Sequence, residues 1–506
     1  MKRWQSDDTD SASPGAPVDG MWSAFARSVR NNLAAEGAVQ TLRVGGMIVL
    51  ARALRPEDFG LFRILLVVSV IVGLSNQTGI PDALIQRRHI TVEHESTAWC
   101  LSTVIALAAC VTLYTAAPLI SAAMAMPGLT GGLRLLCIPL FLEGTAITAG
   151  ACLQRQLKFG VLAVVDVVAE VVFLLTALTL LWHGKPSWSL PGALAARLAT
   201  HAVAIWLAAP LFPRVLPTRR AARDLARFTG AVWGGQFIYV LSSNADYLLV
   251  GRLLGSSALG FYSIAWDLLR FVPDRLHRVA GRVTLPAFCR LQDDPDALAR
   301  AYIDFFAYIA RIVLPFAACA ALAAPEILTT IYGSKWLAAA LPMRLLAPGL
   351  ALCGLRLGMG SVFYARNRPG LDIYLHGARL AAIVVTVLSL ARWGLPAVSA
   401  GMSVVECAIS VAGQLLTCAL VEISLGDLAA ASIHAVRLTL LCLLATLAGR
   451  SVAMMAGLAP GAVLLAAVLP AVLAYAWMEG SNVIETINKA FGVGSGAQTE
   501  VVPTQP

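Results

Sequence analysis

The stretch Ala51–Ile64 reads ARALRPEDFGLFRI, and Gly251–Ile264 reads GRLLGSSALGFYSI. Arg52, Leu54, Gly60 and Ile64 recur as Arg252, Leu254, Gly260 and Ile264, with an aromatic at Phe62 and Tyr262. The correspondence continues in order. Pro81 in GIPDALIQR answers Pro286 in TLPAFCRLQ, and Pro118 in AAPLI answers Pro325 in AAPEIL. LRLLCIPL from Leu133 then answers MRLLAPGL from Met343. Four matches in register argue for a duplicated unit. Each copy opens as an elbow between two apolar runs, where Gly60 and Gly260 are read as permitting a tight entry into the second helix.

The solvent of those runs is lipid. The 506 residues are 58% hydrophobic and only 13% charged, too little charge to cover a water-soluble surface of this size. Mean hydropathy is +0.75. Runs of ~20 apolar residues, the length that spans a bilayer as a helix, recur about fourteen times between Ala34 and Met478. The net charge of +9 follows topology. With the N-terminus inside, about 20 Lys/Arg fall in cytoplasmic segments and about 7 in external ones. Basic clusters such as Arg214, Arg219, Arg220, Arg223 and Arg227 lack the interleaved aromatics of a nucleic-acid site. Ten cysteines are scattered without a C-x-x-C or metal spacing, so neither disulfide, metal nor cofactor is expected.

The predicted architecture is an all-α polytopic membrane protein. A polar tail with a short interfacial helix (1–32) carries no apolar h-region of a cleaved signal peptide. A six-helix bundle (33–213), a basic cytoplasmic linker (214–227), a second six-helix bundle (228–423), two additional transmembrane helices (432–478) and a polar tail (479–506) follow. Six crossings per bundle is an even number, so both bundles enter from the cytoplasm. They are then parallel repeats around a central cavity, an arrangement of transporters. Both termini are placed in the cytoplasm. Trp182, Trp188, Trp336 and Trp393 fall at external span ends, as an aromatic belt would place them.

Ionisable residues inside spans are expensive, ~2.5–3.5 kcal/mol at the centre, and face a cavity or a partner. Here they form stripes: Glu36, Gln40 and Arg43; Asp166 and Glu170; Arg197 and His201; Asp267, Arg270 and Asp274; Asp372, His376 and Arg379; with Arg311 apart. At ~1.5 Å per residue, Arg43, Arg270, Arg311 and Arg379 lie roughly 13–16 Å deep. Guanidinium stays charged and binds phosphate oxygens bidentately. These four arginines, with His376, are therefore candidates to line a cavity for a pyrophosphate. The competing reading pairs Arg270 with Asp267 or Asp274, and Arg379 with Asp372. In the repeat, Arg43 falls opposite Ser243, beside Asn244 and Asp246. Asp246, with Asn244 and Asp267, is the candidate site for a coupling H⁺ or Na⁺; alternatively Asp246 hydrogen-bonds the turn at Gly251. Arg63 and Arg356, nearer span ends, are expected to snorkel to the headgroups.

The stretch NADYLLVGRLLGSSALGFYSIA resembles the polysaccharide-transporter (Wzx-type) lipid-linked oligosaccharide flippases of the multidrug/oligosaccharidyl-lipid/polysaccharide superfamily. Asn244, Asp246, Gly251, Leu254, Gly255, Leu259, Gly260 and Tyr262 stand where that family has them. RPEDFGL, ALIQRR, HESTAW, LQRQLKF and RLQDDPD fit as well. The resemblance spans about residues 30–420. It implies a V-shaped cavity between two bundles, and export of undecaprenyl-pyrophosphate-linked repeat units across the bacterial inner membrane. It also implies membrane lipids, a polysaccharide polymerase and other assembly proteins as partners, with a monomer as the default. No catalytic residue is required.

Two other functions compete. A drug/cation antiporter of the same superfamily would favour acidic, aromatic-lined cavities, against the arginines here. A membrane glycosyltransferase or polymerase would draw on Asp294 and Asp296 in QDDPD, which as acids at a helix start have a simpler role. No G-x-x-x-x-G-K-[ST] loop supports an ATP-driven pump.

Overall fold

A computed structural model describes residues 18–76, 84–85, 90–213 and 215–491. The polar termini, Pro81 and Arg214 lie outside the described residues. Among the described residues there is no strand. Helix α1 runs Val18–Ala53, α2 Pro56–Asn76, α3 Val92–Met124, α4 Leu129–Arg155, α5 Phe159–Trp182 and α6 Pro186–Ala208. Helix α7 follows at Arg219–Arg290, α8 at Pro295–Leu322, α9 at Ala340–Gly354 and α10 at Met359–Ala365. The chain ends with α11 (Gly370–Leu390), α12 (Gly394–Val421), α13 (Leu425–Met455) and α14 (Pro460–Phe491).

Among the described residues, ten helical stretches are long and apolar enough to cross a membrane. Two of them, Gly234–Arg278 and Gly370–Val421, have 45 and 52 residues, about twice the ~20 that one crossing needs. Each is broken at a glycine with positive φ, Gly255 (86°) and Gly394 (83°), so each is two crossings. The apolar part of helix α1 is interrupted by Glu36, Arg43 and Arg52, while α2 carries Glu57 and Asp58 in its first turn and one charge, Arg63, beyond it. Apolar side chains cover the surface as well as fill the core. Val104 (64% exposed) and Val385 (64%) face outward, while Ser189 and Thr148 are fully buried, as expected where lipid is the solvent and polar groups serve helix contacts.

The chain divides into two compact units. The first takes Met1–Ala53, Val68–Ala122 and Pro127–Gln236; the second takes Leu54–Val67, Ala123–Met126 and Phe237–Pro506. In the first unit α6 packs against α4 and α5, and α1 against α5. The buried Ser189 hydroxyl donates to the Ala177 carbonyl at 2.9 Å, tying α6 to α5.

In the second unit α9 packs on α12, α11 on α12, and α13 on both α8 and α14. The break between α9 and α10 frees carbonyl groups in an apolar setting, which is costly unless they are bonded. Gln414 of α12 meets that need, donating to the Leu355 carbonyl at 2.9 Å while accepting from Tyr302 at 2.7 Å. Helix α13 starts with a capping box, the Ser424 hydroxyl accepting from Asp427 N and the Asp427 carboxylate accepting from Ser424 N at 2.8 Å.

The opening motif corrects the expectation drawn from it. Positive φ falls at Gly255, not at Gly60 or Gly260. Those two glycines permit a helix crossing within the second unit. A Cβ on Gly60 would collide with the Ser256 carbonyl, and one on Gly260 with the Pro56 carbonyl. Pro56 and Ser256 hold the same place in the two copies, so the contact is reciprocal. Trp336 is also corrected: it is fully buried, packed against Phe59 at 5.2 Å and Phe261 at 5.9 Å between ring centres. Trp182 (90% exposed), Trp188 and Trp393 do face outward.

Candidate substrate and ion sites

In the first unit, α1 presents Arg43 to Glu170 of α5, with Nη2 3.1 Å from Oε2. Glu170 is almost fully buried, whereas 45% of the arginine side chain is exposed. One guanidinium face is therefore engaged and the other open. On α6, His201 stands between Glu143 of α4 and Asp166 of α5, at 2.8 Å and 3.6 Å.

The second unit holds two groups of charges. Arg270 binds Asp274 one helical turn on, through Nε at 3.0 Å and Nη2 at 2.7 Å. Asp267 is bound by Arg63 of α2, whose guanidinium also lies over the Tyr247 ring, 4.5 Å from its centre. Arg63 is thus a structural ion-pair member and does not snorkel. Arg356 is corrected in the same way, donating to Glu406 at 3.0 Å.

Glu406 of α12, fully buried, is the partner that sequence reading missed. It accepts from Arg379 Nε at 2.7 Å on its other oxygen, and Arg379 also donates to the Ser242 carbonyl. Arg379 therefore pairs with Glu406, not with Asp372, and its guanidinium is enclosed. Asp372 instead lies 3.8 Å from His376 Nε2, and His376 Nδ1 meets the Ser242 hydroxyl at 3.2 Å. A solitary acid inside the apolar run of α12 was the available signal. Arg311 on α8 has a partner too, Glu479 of α14 at 3.7 Å, which His434 of α13 also contacts.

Asp246 on α7 is fully buried. Its Oδ2 accepts from the Tyr262 hydroxyl at 2.9 Å, while Oδ1 has no hydrogen-bond partner among the described residues. Asn244, two residues earlier, donates to the Val240 carbonyl one turn back at 2.8 Å. The structure thus brings Asp246 to Tyr262 and Asp267 to Arg63, as separate contacts. Asp294, on which a glycosyltransferase or polymerase would draw, caps α8 by accepting from Ala297 N at 3.0 Å. Among the described residues no group of three His, Cys, Asp or Glu could hold a metal ion.

Helices of membrane length with charges paired between them define an α-helical, multi-pass membrane protein. A family model described as "Polysaccharide biosynthesis protein" matches residues 49–341, more than half of the chain, which belongs to that family. The chain is 24% identical over 322 residues to the lipopolysaccharide biosynthesis protein WzxC of Escherichia coli (strain K12), covering 62% of this chain and 63% of that protein. It is 24% identical over 319 residues to the teichuronic acid biosynthesis protein TuaB of Bacillus subtilis (strain 168), covering 61% and 66%. The match thus spans a little under two thirds of each relative's length. Its fold is that of the lipid II flippase MurJ in an inward closed conformation, with a TM-score of 0.68, 11% identity, and coverage of 90% of this chain and 99% of that one. A multidrug resistance MATE family transporter in an inward-facing conformation is similar at a TM-score of 0.59 and 17% identity, over 76% and 96%.

Proposed function

We propose that this chain is a flippase that moves undecaprenyl-pyrophosphate-linked oligosaccharide repeat units from the cytoplasmic to the outer leaflet of the bacterial inner membrane. The observation that carries the reading is the state of Arg43 and Arg270. Each is bound to one carboxylate and keeps part of its side chain exposed, 45% for Arg43 and 33% for Arg270. A guanidinium in that state can exchange part of its pairing for phosphate oxygens without ever being left unpaired. The names of the relatives, which concern lipopolysaccharide and teichuronic acid synthesis, agree with an anionic lipid-linked sugar as cargo. Arg311 and Arg379, held by Glu479 and Glu406, position helices in this scheme, and His376 lies beside Ser242 at the edge of the Arg379 group.

No bond need be made or broken. Transport is alternating access: the cavity binds the headgroup from the inner side, closes, and reopens outward. The energy comes from an ion gradient, H⁺ or Na⁺, with Asp246 as the coupling carboxylate. Its unpartnered buried oxygen supports this role, because a carboxylate in that setting calls for a proton or a cation. Asn244 flanks it, and Asp267, tied to Arg63, senses the same helix.

Deletion of the gene in its host tests the function. Complete lipid-linked repeat units should accumulate, shielded from an impermeant periplasmic reagent, and surface polysaccharide should be lost. Normal export with altered sensitivity to cationic drugs would transfer the protein to the antiporters.

A further inference from the structure

The two units contain a matched pair of charge clusters with opposite polarity. Helix α6 begins its repeat segment at Leu190–Pro191 and α12 at Leu395–Pro396; eleven residues after each leucine stand His201 and Glu406. Each is held between one residue of the preceding helix, Asp166 on α5 or Arg379 on α11, and one farther back in the chain, Glu143 on α4 or Arg356 in the break between α9 and α10. In the second unit a carboxylate, Glu406, lies between two guanidiniums, Arg379 and Arg356. In the first, an imidazole, His201, lies between two carboxylates, Asp166 and Glu143. Guanidinium does not lose its proton in proteins, so the second cluster is a fixed set of ions. The first is built entirely from groups that titrate.

Its geometry favours an added proton. His201 Nδ1 is 2.8 Å from Glu143 Oε1, and Nε2 is 3.6 Å from Asp166 Oδ1. A neutral imidazole has one N–H and one lone pair, and an ionised carboxylate only accepts. With all three groups unprotonated beyond that state, one ring lone pair would face a carboxylate oxygen. A proton on the ring, or on one of the acids, removes that conflict. Glu36 and Arg43 on α1, Glu170 on α5 and Arg197 on α6 complete the charged surroundings. Four carboxylates thus meet two guanidiniums, and one added proton brings the cluster nearer neutrality. The Asp166 side chain is 58% exposed, which gives that proton a way in and out.

We propose that Glu143, His201 and Asp166 form a proton-binding site of the first unit, which takes up and releases one proton per transport cycle. Only an N–H or O–H bond forms and breaks. The role in transport rests on the flippase reading; the proton site itself does not.

The full-length protein, labelled with ¹⁵N-histidine and held in lipid nanodiscs, provides the test. The His201 resonances are identified by their loss in His201→Gln. In wild type they should titrate reversibly between about pH 5 and pH 9, the range where imidazole switches charge. Combining Glu143→Gln with Asp166→Asn should displace the midpoint by at least about one pH unit, a tenfold change in proton affinity. Those two substitutions preserve shape, so each single variant also serves should His201→Gln fail to fold. A His201 signal that does not titrate in that range, or titrates unchanged in the double variant, overturns the proposal. If His201 titrates as expected while proteoliposomes translocate no lipid-linked oligosaccharide, the proton site stands and the flippase reading falls.

Discussion

Arg379 donates to Glu406 at 2.7 Å where neither side chain reaches the surface, at 4% and 0% exposure. A buried ion pair of this kind adds little over a well-packed apolar pair, but removing one partner is severe. Arg379→Ala leaves Glu406 to Arg356 alone and should destabilise the protein by about 3–5 kcal/mol. Thermal unfolding in detergent would show it, and the Arg379→Ala/Glu406→Ala double variant should recover part of the loss. Equal stability of Arg379→Ala and wild type would mean that the pair does not hold α11 to α12.

The reciprocal glycine crossing makes a sharper steric prediction. Gly60→Ala or Gly260→Ala forces a methyl against a backbone carbonyl, which cannot rotate away, and should cost about 1–3 kcal/mol. Gly73→Ala, farther along α2, meets nothing within 4 Å. That variant should stay within ~0.5 kcal/mol of wild type.

Arg43 separates charge from geometry. Arg43→Ala should reduce export at least tenfold, scored by surface polysaccharide in a deletion strain, because the phosphate contact is lost and buried Glu170 is left unpaired. Arg43→Lys restores a point charge without the planar fork, so its export should fall between the two. Full export by Arg43→Ala would remove this residue from the cargo site.

For Asp246, the informative variant is Asp246→Asn, which keeps the shape and still accepts from Tyr262. It should fold normally, yet export should no longer respond to collapse of the ion gradient. Intact export with intact ion dependence would end the coupling role.

The capping box of α13 predicts a pH-dependent effect outside the membrane. The backbone N–H and hydroxyl of Ser424 hold the Asp427 carboxyl below its ordinary range. A depressed folded value means that the stabilisation is complete above the unfolded value of ~3.9 and is lost as pH falls through the folded one. Ser424→Ala should therefore lower stability by about 0.5–2 kcal/mol at neutral pH, and the difference from wild type should shrink in strong acid.

Much of this was legible along single helices. Apolar run lengths pointed to the crossings, and helical spacing left Asp267 and Asp274 as possible partners of Arg270, of which the structure has Asp274. Contacts between helices were not, since periodicity reports which face a residue occupies but not what stands opposite. Glu406 is 27 residues from Arg379 and 50 from Arg356, and Arg311 is far in sequence from Glu479. Arg63 read as a snorkelling residue because its depth alone was visible, while Asp267 and Tyr247, which enclose it, lie on α7. Gly60 and Gly260 were found as a pair, but glycine serves both turns and close crossings, and only backbone angles separate the two uses.

The opposite polarity of the Glu406 and His201 clusters also limits how such a protein can diversify. Exchanging His201 for an acid would set three carboxylates together, and exchanging Glu406 for a base would set three cations together. A change of the central residue alone therefore passes through a like-charge triad. The three residues of each cluster therefore depend on one another, and a chimaera that joins α6 of one relative to α4 and α5 of another should fail where the central charge no longer opposes its two neighbours.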